Sequence, residues 1–184
     1  MGTAGINAVS SSLRAARRRA KRPQMRNDNK QFTSARPLPD MAATESLGAQ
    51  IAAGLAPGDA VALEGDLGAG KTALARAILR ALGVTGAVPS PTFTLVQHYE
   101  TPQLRISHYD LYRIEAPEEL DELGLDEALS EGALLIEWPE RARSRLPADT
   151  LRVRLEAAGG EARMATLTGP ARWQRIFPER LDVR

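Results

Sequence analysis

The sequence predicts an α/β fold, a mainly parallel central sheet extended by antiparallel hairpins and covered by helices on both faces, and three features of its 184 residues carry that expectation. A glycine-rich loop over residues 65–72 stands between a short apolar strand and an Ala/Leu/Arg-rich helix. An apolar run, Ala133-Leu134-Leu135-Ile136, ends in Glu137, the form of a buried strand with an acid at its C-terminal edge. Two pairs of β-rich segments joined by turn residues read as hairpins. Strands alternating with helices pack as a sheet between helix layers, and such sheets bind ligands outside the carboxyl ends of their strands.

Each element has a local reason. Residues 32–36 are extended and closed by Pro37 and Asp40, and Asp40 caps a helix whose apolar positions Leu47, Ile51 and Leu55 recur at spacing four. That helix stops in the region of Gly54 and Gly58. Residues 59–64 are short, apolar and β-compatible and run straight into Gly65. Residues 73–82 are strong helix formers, with Gly83 where a C-cap belongs. Residues 92–100 and 104–112 carry the β-branched and aromatic residues of two strands around a Thr101-Pro102-Gln103 turn. Pro117, Glu118 and Glu119 open an acidic helix, with proline early and carboxylates near the positive end of the dipole, and Gly124 divides it in two. Residues 151–156 and 162–168 alternate apolar and polar around Gly159-Gly160 as a second hairpin.

Composition sets the outer bounds. A chain of this length with 43% hydrophobic and 26% charged residues is expected to form one domain over residues 31–184. Cysteine is absent, which excludes disulfides, thiolate zinc sites and cysteine nucleophiles. No apolar run approaches the roughly 20 residues of a membrane helix, so no membrane role is expected and a cytoplasmic location fits. The net charge of +1 conceals a division, because residues 1–40 carry nine Lys and Arg against Asp28 and Asp40, which leaves −6 for the remainder. Residues 1–30 bury too little apolar surface to offset their ordering entropy and are expected to be a disordered basic extension. They read as a dispensable extension, with Met25 or Met41 as other starts, as a nucleic-acid contact through counterion release, or as a targeting segment. The first reading is preferred, since charge runs are commonly solvated tails.

The chemistry sits in Gly65-Asp66-Leu67-Gly68-Ala69-Gly70-Lys71-Thr72, which matches the Walker A pattern in full and in its required strand–loop–helix setting. Glycines let backbone N–H groups close around phosphate oxygens while the following helix aims its positive end at the same anion. Lys71 neutralises the β and γ oxygens, and the Thr72 hydroxyl is offered to magnesium. Glu137 follows its apolar strand as a Walker B acid does, either to coordinate magnesium through water or to polarise the attacking water, and Asp110 in His108-Tyr109-Asp110-Leu111-Tyr112-Arg113 is a second acid for the magnesium side. Each also reads as an exposed carboxylate at a strand end. Pro89-Ser90-Pro91-Thr92 is stiff and hydroxyl-bearing, either a γ-phosphate switch or a rigid lead into a strand. Trp138 stacks on a base or a partner, or, as the residues favour, covers the core edge. His98 and His108 make a poor metal site on their own and are read as structural.

Taken together, the Walker loop, Pro89-Ser90-Pro91-Thr92-Phe93, His108–Arg113 and Ile136-Glu137-Trp138-Pro139-Glu140, in that order, resemble the TsaE (YjeE) family of bacterial ATPases over residues 32–157. The resemblance implies an ATP-binding P-loop protein that uses ATP and Mg2+ to let a TsaB–TsaD complex form threonylcarbamoyladenosine on tRNA, meeting tRNA indirectly, with direct contact by the basic extension left open. No arginine finger is identifiable in the sequence, so hydrolysis is expected to be weak alone and raised by the partners. The resemblance assigns Lys71 and Thr72 to phosphate and magnesium, Thr92 to the switch, and Asp110 and Glu137 to the two acids. Trp138 is placed with the nucleotide-binding residues. In the expected mechanism Lys71 and the loop amides hold the triphosphate, Thr72 and Asp110 place magnesium, and Glu137 orients the attacking water. The stretch before Phe32 and residues 173–184 fall outside the resemblance. Two other readings stay open, a small-molecule kinase with Arg141, Arg143 and Arg145 on a lid, and a nucleotide-sensing scaffold that needs no hydrolysis.

Overall fold

The computed structural model describes residues 31–116, 118–142 and 145–178. The readings of segment 1–30, the opening of a helix by Pro117 and the lid role of Arg143 lie outside these residues, as do the final residues 179–184.

The chain enters on β1 (Gln31–Leu38), and the Asp40 carboxylate accepts from the Ala43 N–H at 2.8 Å to start α1 (Met41–Gly54). Leu47 and Ile51 of the four-residue stripe are buried, and Leu55 packs partly buried beside them. β2 (Ala60–Glu64) leads into α2 (Lys71–Ala81), which begins two residues before the expected Ala73. The helical ladder opens at the Leu74 N–H to Gly70 C=O bond of 2.9 Å, so Lys71 and Thr72 form the first turn. Gly83, at φ 95°, closes the helix, with the Val84 N–H reaching back to the Leu79 carbonyl at 3.0 Å.

β3 (Val96–Glu100) starts four residues later than the expected Thr92. Residues 91–95 are a turn instead, closed by the Leu95 N–H on the Pro91 carbonyl at 2.7 Å with Leu95 at φ 63°. β4 (Arg105–Asp110) ends before the expected Tyr112 because the Asp110 carboxylate takes the Tyr112 N–H at 3.1 Å and turns the chain. α3 (Glu119–Glu122) and α4 (Leu125–Glu131) are separated by Gly124 at φ 63°. β5 (Gly132–Glu137), a 3-10 turn (Pro139–Ala142), the hairpin β6 (Leu151–Ala157) and β7 (Arg163–Pro170), and a last 3-10 turn (Ala171–Arg175) complete the described chain.

All seven strands join one sheet in the order β1-β7-β6-β2-β5-β4-β3. The centre β6-β2-β5-β4 is parallel and the outer pairs are antiparallel, as the fold class predicts. Strand alternation divides the core between two faces. Val61, Leu63, Leu135, Val153 and Leu167 face α1, α2 and the C-terminal aromatics Trp173 and Phe177. Ala60, Tyr109, Leu134 and Ile136 face Leu120 of α3 and Leu125 and Ala128 of α4. The first face is tight, since a Cβ on Gly48 of α1 would lie 2.6 Å from the Ala77 Cβ of α2.

Candidate functional site

Register decides which side chains meet. β4 pairs with β5 so that Asp110 lies beside Glu137 and His108 beside Leu135, and β2 pairs with β5 so that Leu63 lies beside Glu137. His108, Asp110 and Glu137 therefore share the α2 face of the sheet, at or near the carboxyl ends of their strands, where α2 begins. Two acids separated by 27 positions in sequence are brought side by side by one parallel pairing.

The loop is shaped by its glycines. Gly65 has φ 136° and a Cβ there would sit 2.4 Å from the Leu155 carbonyl oxygen of β6, so both conformation and space demand glycine. Gly68 and Gly70 have φ of 78° and 104° with nothing within 4 Å of a Cβ, so conformation alone selects them. Gly70 contributes no side-chain cap to α2, which leaves the first-turn N–H groups to an incoming anion. The loop residues thus suit a phosphate chain.

Lys71 is buried, with its Nζ donating to the Gly65 carbonyl at 2.6 Å and the Asp66 carbonyl at 2.8 Å and lying 3.8 Å from the Trp138 ring centroid. Burial lowers its pKa, and the negative charges of Glu137, Glu140, Asp110 and Asp66 oppose that shift. The Thr72 hydroxyl donates to Glu137 Oε2 at 2.8 Å, and His108 Nε2 donates to Glu137 Oε1 at 2.9 Å. Thr92 donates to Asp110 Oδ2 at 2.7 Å and is itself 2.8 Å from the Ser90 hydroxyl. The preceding segment is tied to α2 by Arg76 Nε on the Val88 carbonyl at 2.8 Å.

Neither acid is an exposed strand-end carboxylate, for Asp110 is 4% and Glu137 2% exposed. Gly70, Lys71, Thr72, Thr92, Asp110 and Glu137 line a cavity of about 300 Å³. A larger cavity of about 720 Å³ adjoins it across the loop, bordered by Asp66, Leu67, Gly68, Trp138, Glu140 and Arg154. Trp138 and Leu95 are the non-glycine residues with positive φ among the described residues, at 58° and 63°. Trp138 follows Glu137, and Leu95 accepts the Asp110 N–H through its carbonyl at 3.0 Å. Backbone strain thus concentrates beside the two acids, as it does at functional sites.

Other sequence candidates lie apart. His98 bonds Ser107 at 2.8 Å across the β3–β4 pair, on the opposite face from His108. Arg145 is paired with Asp121 and Arg141 is exposed, and neither lines the two cavities beside the loop. His108, read from sequence as structural, is placed against Glu137; its i, i+2 spacing from Asp110 on a strand was the available signal. Among the described residues no three His, Cys, Asp or Glu converge as a metal cage. Thr72, Asp110 and Glu137 instead present oxygen donors around one cavity, the sparse, hard set that suits Mg2+ completed by phosphates and water.

Residues 38–165 match the family model described as "Threonylcarbamoyl adenosine biosynthesis protein TsaE". A tRNA threonylcarbamoyladenosine biosynthesis protein TsaE of Rickettsia bellii is 43% identical over 126 residues, 68% of this chain and 88% of that protein. The protein so described from Bacillus subtilis is 37% identical over 140 residues, 76% of this chain and 87% of that protein. The crystal structure of Bacillus subtilis YdiB superposes with a TM-score of 0.66 and 30% identity, covering 80% of this chain and 93% of that one.

Proposed function

The chain belongs to the TsaE family, and from that membership and the geometry of its loop we propose that it binds ATP with Mg2+ and hydrolyses it weakly, in the service of threonylcarbamoyladenosine formation on tRNA. The observation that carries this reading is the hydrogen bond from Thr72 to Glu137, which joins the phosphate loop to the acid at the end of the neighbouring strand. The 300 Å³ cavity takes the β and γ phosphates, and the adjoining larger one takes the nucleoside.

Lys71 and the first-turn amides of α2 bind the phosphates, and the Trp138 ring packs against the lysine ammonium. Residue types left Glu137 to hold magnesium or to polarise the water, and the expected mechanism then gave magnesium to Thr72 and Asp110 and the water to Glu137; the hydrogen bonds favour the exchange. Thr72 donates to Glu137, and the two stand together on the metal side. A bound Mg2+ there neutralises charge on the phosphate oxygens. Asp110, held by Thr92 and the Tyr112 N–H, is the acid on the side of the attacking water. Hydrolysis joins a water oxygen to the γ phosphorus, breaks the bond to the bridging oxygen and releases a proton, which Asp110 is positioned to accept.

Among the described residues no arginine lines the phosphate cavity. A cation of the kind that stabilises the transferring phosphoryl group is therefore left to a partner, and the TsaB–TsaD complex is the partner we assign, with tRNA met through it in the cytoplasm. The test is reconstitution with TsaB and TsaD, scored for multiple-turnover tRNA modification and ATP hydrolysis. Lys71→Ala is expected to reduce both by about 100-fold or more, the size of effect produced by removing a principal electrostatic group. Unchanged turnover by this variant, or equal hydrolysis with and without the partners, overturns the reading.

A further inference from the structure

Glu137 is held from two sides. Its Oε2 accepts from Thr72 at 2.8 Å and its Oε1 accepts from His108 Nε2 at 2.9 Å. His108 is 0% exposed, and its other ring nitrogen, Nδ1, is buried with no hydrogen-bond partner. A buried histidine retained for packing ordinarily satisfies both nitrogens, because an unpaired buried polar atom is costly. Here one nitrogen is left unpaired while the other is aimed at the carboxylate next to the phosphate loop.

We propose that His108 is a positioning residue for the acid of the phosphate site, fixing the Glu137 carboxylate so that its far oxygen holds the Thr72 hydroxyl. The inference rests on the hydrolytic reading above. Its physical content is directional. A carboxylate only accepts, so the bond to His108 uses the Nε2 proton and the bond to Thr72 uses the hydroxyl proton. With that proton committed to Glu137, the lone pairs of Thr72 Oγ1 are directed away from the acid. Without His108 the carboxylate rotates about its terminal bonds, the Thr72 proton is released to other acceptors, and the hydroxyl no longer presents a fixed acceptor face. His108 touches neither phosphate nor water in this scheme; it acts through Glu137.

The two amide residues separate this role from volume filling. Glutamine places its amide N–H where histidine has Nε2, whereas asparagine reaches only the level of Nδ1, which has no partner here. His108→Gln, His108→Asn and His108→Leu are compared with wild type for melting temperature, ATP Kd, and kcat with TsaB–TsaD. His108→Gln is expected to keep kcat within about threefold of wild type. His108→Asn and His108→Leu are expected to lose about 10-fold to 100-fold in kcat, the range for a hydrogen bond to a charged group, while Kd for ATP changes less than about threefold. Wild-type kcat in a folded His108→Leu variant, or a fall in His108→Gln as deep as that in His108→Leu, overturns the proposal.

A second measurement is independent of turnover, and its overturning outcome is read on the wild-type protein. The chain has two histidines, so imidazole nitrogen NMR of the wild-type protein resolves His108 once His98→Gln identifies the other. A slowly exchanging Nε2–H of His108 that is lost in a folded Glu137→Ala variant supports the bond; its absence in wild type overturns it. An intact ring signal in a wild-type protein that hydrolyses no ATP overturns the hydrolytic reading, and the catalytic consequence drawn from it, while the bond itself stands.

Discussion

Thr92 shows how much of this site depends on single hydroxyls. It sits between Ser90 and Asp110, accepting no ladder bond of β3 because its chain is in a turn. Valine at this position keeps the shape and removes the donor, leaving Asp110 Oδ2 without its partner. Thr92→Val is expected to lower kcat about 10-fold, at the lower end for hydrogen bonds to charged groups, with ATP Kd nearly unchanged because Lys71 and the loop are untouched. Single-turnover kinetics beside equilibrium nucleotide titration check this; a loss confined to Kd would place Thr92 in binding rather than in chemistry. At this scale the Walker loop was fully legible, since each of its residues has a local reason to be there. Thr92 was legible as a hydroxyl in a candidate switch segment, but its acceptor was not, because the bond spans 18 positions.

Helices α3 and α4 are short, at 4 and 7 residues, and are held by contacts to β4 and β5 rather than by their own propensity. Tyr109 is one of these contacts, wholly buried with its hydroxyl donating to the Leu123 carbonyl at 3.0 Å. Burial pushes the Tyr109 phenol up to about 12, against the pull of the Arg105 charge. The folded protein thus retains a proton that an unfolded chain, titrating near pH 10, gives up. Tyr109 stabilises fully below about pH 10 and loses that contribution as pH rises toward 12. Tyr109→Phe is expected to cost about 1 kcal/mol at pH 8 and to lessen the alkaline decline, as read from urea unfolding between pH 8 and 11.5. A decline as steep in Tyr109→Phe as in wild type would refute the assignment. The elements themselves were legible as types, and the errors fell at ends. α2 began early because Gly70 provides the first carbonyl of the ladder, and β3 began late because Leu95 adopts a left-handed conformation that its side chain does not announce.

Across the whole molecule the sheet closes on its last residues. Trp173 and Phe177 are completely buried, Phe177 lies 6.0 Å from the Phe32 ring of β1, and a Cβ on Gly54 would strike the side chains of Ile176 and Trp173 at 2.2 and 2.5 Å. A segment outside every recognised motif is therefore a core component. Each large buried aromatic is worth about 3–5 kcal/mol against alanine, and a domain's total stability is only about 5–15 kcal/mol. Deletion of residues 171–184 is expected to abolish cooperative unfolding, whether scored by near-UV circular dichroism or by calorimetry; a shortened chain with a wild-type melting temperature would contradict this account of the core.

Sequence by itself determined the phosphate loop, the two acids, the alternation of strands and helices and the family, because these rest on backbone conformation and short-range spacing. Glycine at positive φ and an aspartate helix cap act within a few residues of themselves. What only the tertiary structure decided was which groups touch: Thr72 with Glu137, Thr92 with Asp110, His108 with the same acid as the loop, and the C-terminal aromatics with β1. Those pairings follow from strand order and register, which are settled by burial summed over the entire sheet, and no local stretch of the chain contains that sum.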